Sequence, residues 1–184
     1  MTSDGIVAND AGETPRRDVA RIATIAAAAF LSLLGAIRYG VHAETPVVVF
    51  VICTLVVISR HDLERRIIPN RIVLPAWMAV LIAHLALHPH HWVQWLVASF
   101  GAALFFLAFA LAYPAGLGMG DVKLALFIGA ALGYAVVSAL LLGTLAAGLV
   151  GAYLLFKEGS SARKRAIPLG PFLAAGAIVV LLFL

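Results

Sequence analysis

Two aspartates stand where an otherwise apolar sequence has little reason to keep a charge. Asp62 closes one apolar run in Ile58-Ser59-Arg60-His61-Asp62, and Asp121 opens another in Gly118-Met119-Gly120-Asp121-Val122-Lys123. Charges at the edge of apolar segments are expensive, so each needs a reason. Two carboxylates sharing one site cannot both stay ionised cheaply. One then takes a proton from water while the other, protonated, donates to a carbonyl. Such a dyad titrates as a unit, so neither role belongs to one particular residue. It hydrolyses a peptide bond through a tetrahedral diol and requires neither a covalent intermediate nor a metal. Interfacial aspartates also cap helices, pair with Arg or Lys, or line an ion pathway, and the two residues alone leave these readings open.

The neighbours of the aspartates suit a site. Gly118 and Gly120 lack a Cβ, so backbone can approach a substrate there or adopt positive φ. Gly116 and Pro114 keep the preceding segment out of regular helix. Asp121 at a helix start would sit at the positive end of the helix dipole. Lys123 either steers a substrate carboxylate or is a snorkelling anchor at the inner face. Pro69 should end regular structure and bias Ile68 toward extended backbone. Asn70 is expected to N-cap a helix beginning at Arg71 or Ile72. Pro168, Gly170 and Pro171 break a helix near the same face, either as the wall of a cavity or as a simple helix-start turn.

The elements that must position these residues are set by composition. Of 184 residues 63% are apolar and 12% charged, and mean hydropathy is +1.04, whereas a soluble domain is about 25% charged. A bilayer is the place for such a chain, which excludes a disordered or nucleic-acid-binding protein. Apolar runs cover Ile22–Ile37, Val47–Ser59, Ile72–Leu87, Trp92–Tyr113, Val122–Gly133, Val136–Phe156 and Ile167–Leu184. Their lengths suit helices rather than barrel strands. The stretch Val122–Phe156 reads either as two helices turning near Gly133-Tyr134 or as one long helix plus a short one. The expectation is an all-α polytopic membrane protein with six to seven transmembrane helices. Residues 1–21 form a polar cytoplasmic tail, short and disordered or interfacial, and residues 22–184 the membrane domain. The first apolar run is read as a retained anchor, since no convincing cleavage pattern follows it.

Loop charge gives an orientation. With seven spans and the N-terminus in the cytoplasm, every one of the 13 Lys and Arg residues except Arg38 falls on the cytoplasmic side, as the positive-inside rule prefers. Asp62 and Asp121 then meet at the cytoplasmic face of an inner membrane. The opposite loop, His88-Pro89-His90-His91-Trp92, carries no Lys or Arg. Its histidines invite a metal, but with no carboxylate expected nearby an interfacial loop is preferred. Trp92 and Trp95 suit the aromatic belt, Trp77 packing. The single cysteine, Cys53, reads as a small buried hydrophobe and excludes a cysteine-based zinc site.

Three segments carry a resemblance. Asp62-Leu63-Glu64-Arg65-Arg66-Ile67-Ile68-Pro69-Asn70 resembles the first active-site motif of the type IV prepilin peptidases. Gly118-Met119-Gly120-Asp121-Val122-Lys123-Leu124 resembles their GxGD motif, with the apolar Gly/Ala helix that follows it. Ile167-Pro168-Leu169-Gly170-Pro171-Phe172-Leu173-Ala174 is close to their late IPFGPFLA-like segment. The resemblance covers about Val47–Leu184. It implies a GxGD-type membrane aspartic endopeptidase with Asp62 and Asp121 as the catalytic pair and no cofactor. Its partners would be the bilayer and prepilins, Flp pilins or pseudopilins, whose basic leaders are cut just ahead of the hydrophobic pilin helix. Glu64 is then the better contact for a basic leader, and Arg65 and Arg66 suit anionic lipid headgroups. Larger family members carry an N-terminal four-cysteine region and methylate the new terminus. The expectation here is the compact form, with N-methyltransferase activity unsupported. A small transporter or channel with acidic gating residues would need polar groups along a transmembrane path, whereas the charges here gather at one face. A non-catalytic pilus assembly factor would tolerate loss of either aspartate.

Overall fold

The computed structural model describes residues 13–113, 116–158 and 168–184. Among the described residues are seven α-helices: α1 (Glu13–Tyr39), α2 (Thr45–Arg65), α3 (Asn70–Leu87), α4 (Trp92–Ala112), α5 (Met119–Leu132), α6 (Val136–Glu158) and α7 (Gly170–Phe183). Five segments are long and apolar enough to cross a membrane, the last of them spanning α5 and α6 together. The chain is thus an all-α, multi-pass membrane protein. Helices satisfy their own backbone groups, which hydrocarbon cannot do for them. Of the polar stretch expected as a tail, residues from Glu13 onward are helical and extend α1. Residues 1–12, Pro114, Ala115 and 159–167, with Arg163, Lys164, Arg165 and Ile167 among them, lie outside the described residues.

The stretch Val122–Phe156 resolves into two helices. A single 3-10 turn, Gly133–Ala135, joins α5 to α6. Gly133 holds φ +58 and ψ −137, and a Cβ there would come within 2.7 Å of Gln94 Nε2 and 3.0 Å of the Trp95 ring. Both backbone conformation and space require glycine at that turn.

Helices α4 and α5 run antiparallel: Ser99 on α4 donates to the Leu126 carbonyl at 2.8 Å, and a Cβ on Gly129 would lie 2.5 Å from the Ala98 carbonyl oxygen. Small residues let backbones approach closely where lipid supplies no hydrophobic drive between helices. Ser99, wholly buried, also accepts from Trp77 Nε1 at 2.8 Å, so one hydroxyl ties α3, α4 and α5. At the α6–α7 contact a Cβ on Gly143 would meet the Leu173 Cα and the Phe172 carbonyl oxygen, both at 2.8 Å.

The 14-residue α5 is the inner helix, with Leu124, Ala125, Phe127, Ile128 and Ala130 fully buried. It packs against α3, α4, α6 and α7, while α2 packs against α1, α3 and α7. This arrangement puts the end of α2 and the starts of α3, α5 and α7 at one end of the bundle. The other end gathers Tyr39, whose hydroxyl donates to the Leu181 carbonyl at 3.0 Å, with Glu44, His84, His88 and Trp95.

Candidate active site

Asp62 lies one turn before the end of α2 and is buried, with 6% of its surface exposed. The helix ends at Arg66, whose left-handed backbone (φ 52) lets its N–H donate to the Asp62 carbonyl at 2.8 Å. Left-handed backbone in a long side chain is uncommon and costs energy unless the surroundings fix it. Here it turns the chain sharply, so that Ile68 is buried and Pro69 leads into α3.

A buried carboxylate needs a partner. That of Asp62 comes from a segment far along the chain: Gly170 N–H, at the start of α7, donates to Oδ2 at 3.1 Å. The first turn of a helix has free N–H groups and a partial positive charge, which favours an anion there. A side chain at position 170 would not fit, because its Cβ would lie 2.6 Å from Asp62 Oδ2 and 3.1 Å from Cγ. The Pro168-Leu169-Gly170-Pro171 break is therefore both a helix-start turn and part of the wall around Asp62.

Asp121 is held locally. Gly118 is the N-cap of α5, with extended backbone (φ −84, ψ 152). Asp121 N–H donates to the Gly118 carbonyl at 3.1 Å, and Gly118 N–H donates back to Asp121 Oδ2 at 3.2 Å. The reciprocal pair fixes the carboxylate over the first turn of α5. Gly120 lies against Ile68: a Cβ there would be 3.1 Å from the Ile68 Cβ. That contact joins the loop after α2, which carries Asp62, to the first turn of α5, which carries Asp121.

Lys123 Nζ donates to Asn70 Oδ1 at 2.7 Å, joining the first turn of α5 to the first turn of α3. This corrects the expected role of Asn70. The N-cap of α3 is Pro69, whose carbonyl accepts from Ile72 and Val73 N–H, and Asn70 is already helical. Its amide is spent on a cross-helix bond, which proline cannot make. Glu64 is exposed, and Arg60 Nε donates to its Oε1 at 2.7 Å, one helical turn away.

At the opposite end, the histidine loop has the carboxylate that sequence did not place there: His88 Nε2 lies 2.9 Å from Glu44 Oε1. Trp95 is stacked on His84 with ring centroids 3.9 Å apart. Cys53 is half-buried and contacts Ser32.

The site residues that sequence reasoning missed as contacts are Gly170, as donor to Asp62, and Ile68, as the wedge under Gly120. The late Pro-Leu-Gly-Pro segment signalled a break in structure, yet nothing in it named the carboxylate its N–H would reach.

Fold and site together define a polytopic helical membrane protein with two aspartates held by backbone N–H groups at one end of the bundle. The chain belongs to the type IV leader peptidase family, which it matches over residues 49–156. It is 34% identical over 164 residues to a prepilin leader peptidase/N-methyltransferase of Pseudomonas putida, an alignment covering 83% of this chain and 55% of that protein. It is 30% identical over 148 residues to a protein of the same description from Bacillus subtilis (strain 168), covering 80% of this chain and 59% of the relative. The chain thus spans somewhat over half the length of these curated relatives. No solved structure matches it.

Proposed function

We propose that this protein is an aspartic endopeptidase that removes the basic leader from type IV prepilins, Flp pilins or pseudopilins, with Asp62 and Asp121 as its dyad. The observation that carries the reading is the pairing of grips: each carboxylate accepts one backbone N–H through Oδ2, and both sit at the same end of the bundle. Family membership and the relatives' descriptions support the substrate class.

The ionised carboxylate orients a water and takes its proton as the oxygen attacks the scissile carbonyl carbon. The protonated carboxyl donates its proton to the carbonyl oxygen, giving a neutral gem-diol. Collapse of the diol re-forms the carbonyl, breaks the C–N bond and delivers a proton to the leaving amine. The pair returns to its singly protonated form. Backbone donors suit this task because they hold an oxygen in place without supplying a proton that could compete in the transfer. Lys123, bonded to Asn70, serves here as a brace between the two motifs rather than as a substrate contact. Glu64 faces outward and is the contact for a basic leader, exchanging its bond to Arg60 for one to the substrate.

In this reading the chain has seven spans, α5 and α7 being the short ones, with α5 enclosed by its neighbours and α7 keeping one exposed face. The N-terminus and the dyad face the cytoplasm, as the distribution of Lys and Arg favours. The test is reconstitution in liposomes with candidate prepilins and mass spectrometry of the products. Cleavage at one bond between leader and apolar helix is expected. A chain that binds prepilin but releases no leader under any condition would overturn the reading in favour of an assembly factor.

A further inference from the structure

The bundle is not closed between α4 and α6. The two helices diverge around a groove of about 840 Å³ whose lining is almost wholly apolar. One wall is a stripe along α4 and its C-cap residue at four-residue spacing, Val97, Gly101, Phe105, Phe109 and Tyr113, and the other is the first half of α6. At 1.5 Å per residue the stripe runs about 24 Å, most of the roughly 30 Å thickness of a bilayer's hydrocarbon.

What sets this groove apart from an ordinary lipid-facing surface is where it ends. Its rim at the site end is formed by Leu117 and Leu169. Leu117 directly precedes Gly118, whose N–H holds Asp121, and Leu169 directly precedes Gly170, whose N–H holds Asp62. The groove therefore opens between the two backbone segments that grip the dyad. A chain whose scissile bond lies at the carboxylates, and which continues as an apolar helix, has a path of matching polarity and length that starts at the cut.

We propose that the α4–α6 groove is the docking site for the apolar helix that follows the scissile bond of the substrate, which seats against Phe105 and Phe109 while the leader stays at the bundle end. This inference rests on the peptidase reading above. Apolar helices bind by laying one face into such grooves, and close packing rather than polarity supplies the attraction inside a bilayer.

Two glycines make the test possible. Gly101 lies in the groove and a Cβ there meets nothing within 4 Å; the same holds for Gly148, on α6 outside the groove. In prepilin-loaded liposomes, Gly101→Phe should raise KM at least tenfold with kcat little changed, and Gly148→Phe should leave both as in the unaltered protein. In parallel, the photo-crosslinker p-benzoylphenylalanine at Phe105, in an Asp62→Asn, Asp121→Asn background, should capture the prepilin's apolar helix. At Val179, on the exposed face of α7, it should capture lipid only. Unchanged KM in a folded Gly101→Phe protein, or crosslinks from Phe105 to lipid alone, would overturn the groove. The crosslink needs no cleavage, so capture at Phe105 by an unaltered chain that never cuts would remove the peptidase reading and leave the docking site standing.

Discussion

Gly170→Ala adds one carbon to the protein and should disable half of the dyad. The added Cβ would lie 2.6 Å from Asp62 Oδ2, 3.1 Å from Cγ and 3.4 Å from Cβ. The carboxylate is the movable partner, so it must leave the Gly170 N–H. A hydrogen bond to a charged group is worth about 1.5–3 kcal/mol and each 1.36 kcal/mol is tenfold in rate, so kcat/KM should fall roughly 10- to 150-fold. The comparison is Gly118→Ala, inside the GxGD motif. Its Cβ would sit 3.5 Å from Asp121 Oδ2, an ordinary contact, and its φ of −84 and ψ of 152 suit alanine. That variant should stay within about threefold of the unaltered protein. The assay is leader release in liposomes at matched amounts of folded protein, checked by thermal unfolding in detergent. Gly170→Ala with full activity, or Gly118→Ala as damaging as Gly170→Ala, would refute the geometry on which the dyad rests.

The remaining predictions address the other parts of the site. Asp62→Asn and Asp121→Asn should each lower kcat by about 10²–10⁴-fold, with insertion and unfolding temperature near those of the unaltered chain; leader release at ordinary rate by either would exclude a dyad. Asn70→Ala and Lys123→Met should be non-additive in a stability cycle by about 0.5–1 kcal/mol, since each removes the same bond. Strict additivity would return Lys123 to a substrate role. Gly143→Ala lies outside every motif, but its Cβ would meet Leu173 and Phe172 backbone atoms at 2.8 Å, so α7 must shift. Activity should drop at least about tenfold, together with a loss of about 1–3 kcal/mol in stability; normal cleavage would mean that α7 does not position Asp62.

The helices were largely legible in the sequence, and so was the placement of both aspartates at helix ends. In hydrocarbon the backbone must form helices, so each apolar run maps onto one, and Gly133 carries the break between α5 and α6 with a positive φ that glycine adopts cheaply. What could not be read is which face of each helix meets which neighbour. A soluble helix declares its buried side by a polar opposite face, but α5 and α7 are apolar all round. Contacts that depend on rotation about the axis were therefore hidden: Gly170 with Asp62, Gly120 with Ile68, and the divergence of α4 from α6. Asn70 illustrates the other limit. Its type suits an N-cap, yet the cap falls to Pro69, whose carbonyl serves the first turn, and the Asn70 amide is drawn to Lys123, placed beside it by a helix that begins far along the chain.

The two aspartates of the proposed dyad are encoded in different ways, and this bears on how the site tolerates change. Asp121 is fixed by its own helix start: a glycine three residues earlier supplies both the carbonyl and the N–H that hold it. That arrangement would survive movement of the rest of the bundle. Among the described residues, the hydrogen-bond donor to the Asp62 carboxylate is not local. It belongs to α7, and α7 is set by close backbone contacts with α6 at Gly143 and Gly176. The position of one carboxylate is thus a local property and that of the other a property of the whole helix packing. Separation of the two depends on α2, α3 and α7 keeping their places, with Ile68 wedged under Gly120 as the contact that joins the loop after α2 to the start of α5. Substitutions that loosen helix packing should therefore act through Asp62 first, even when they lie on helices that carry no motif residue.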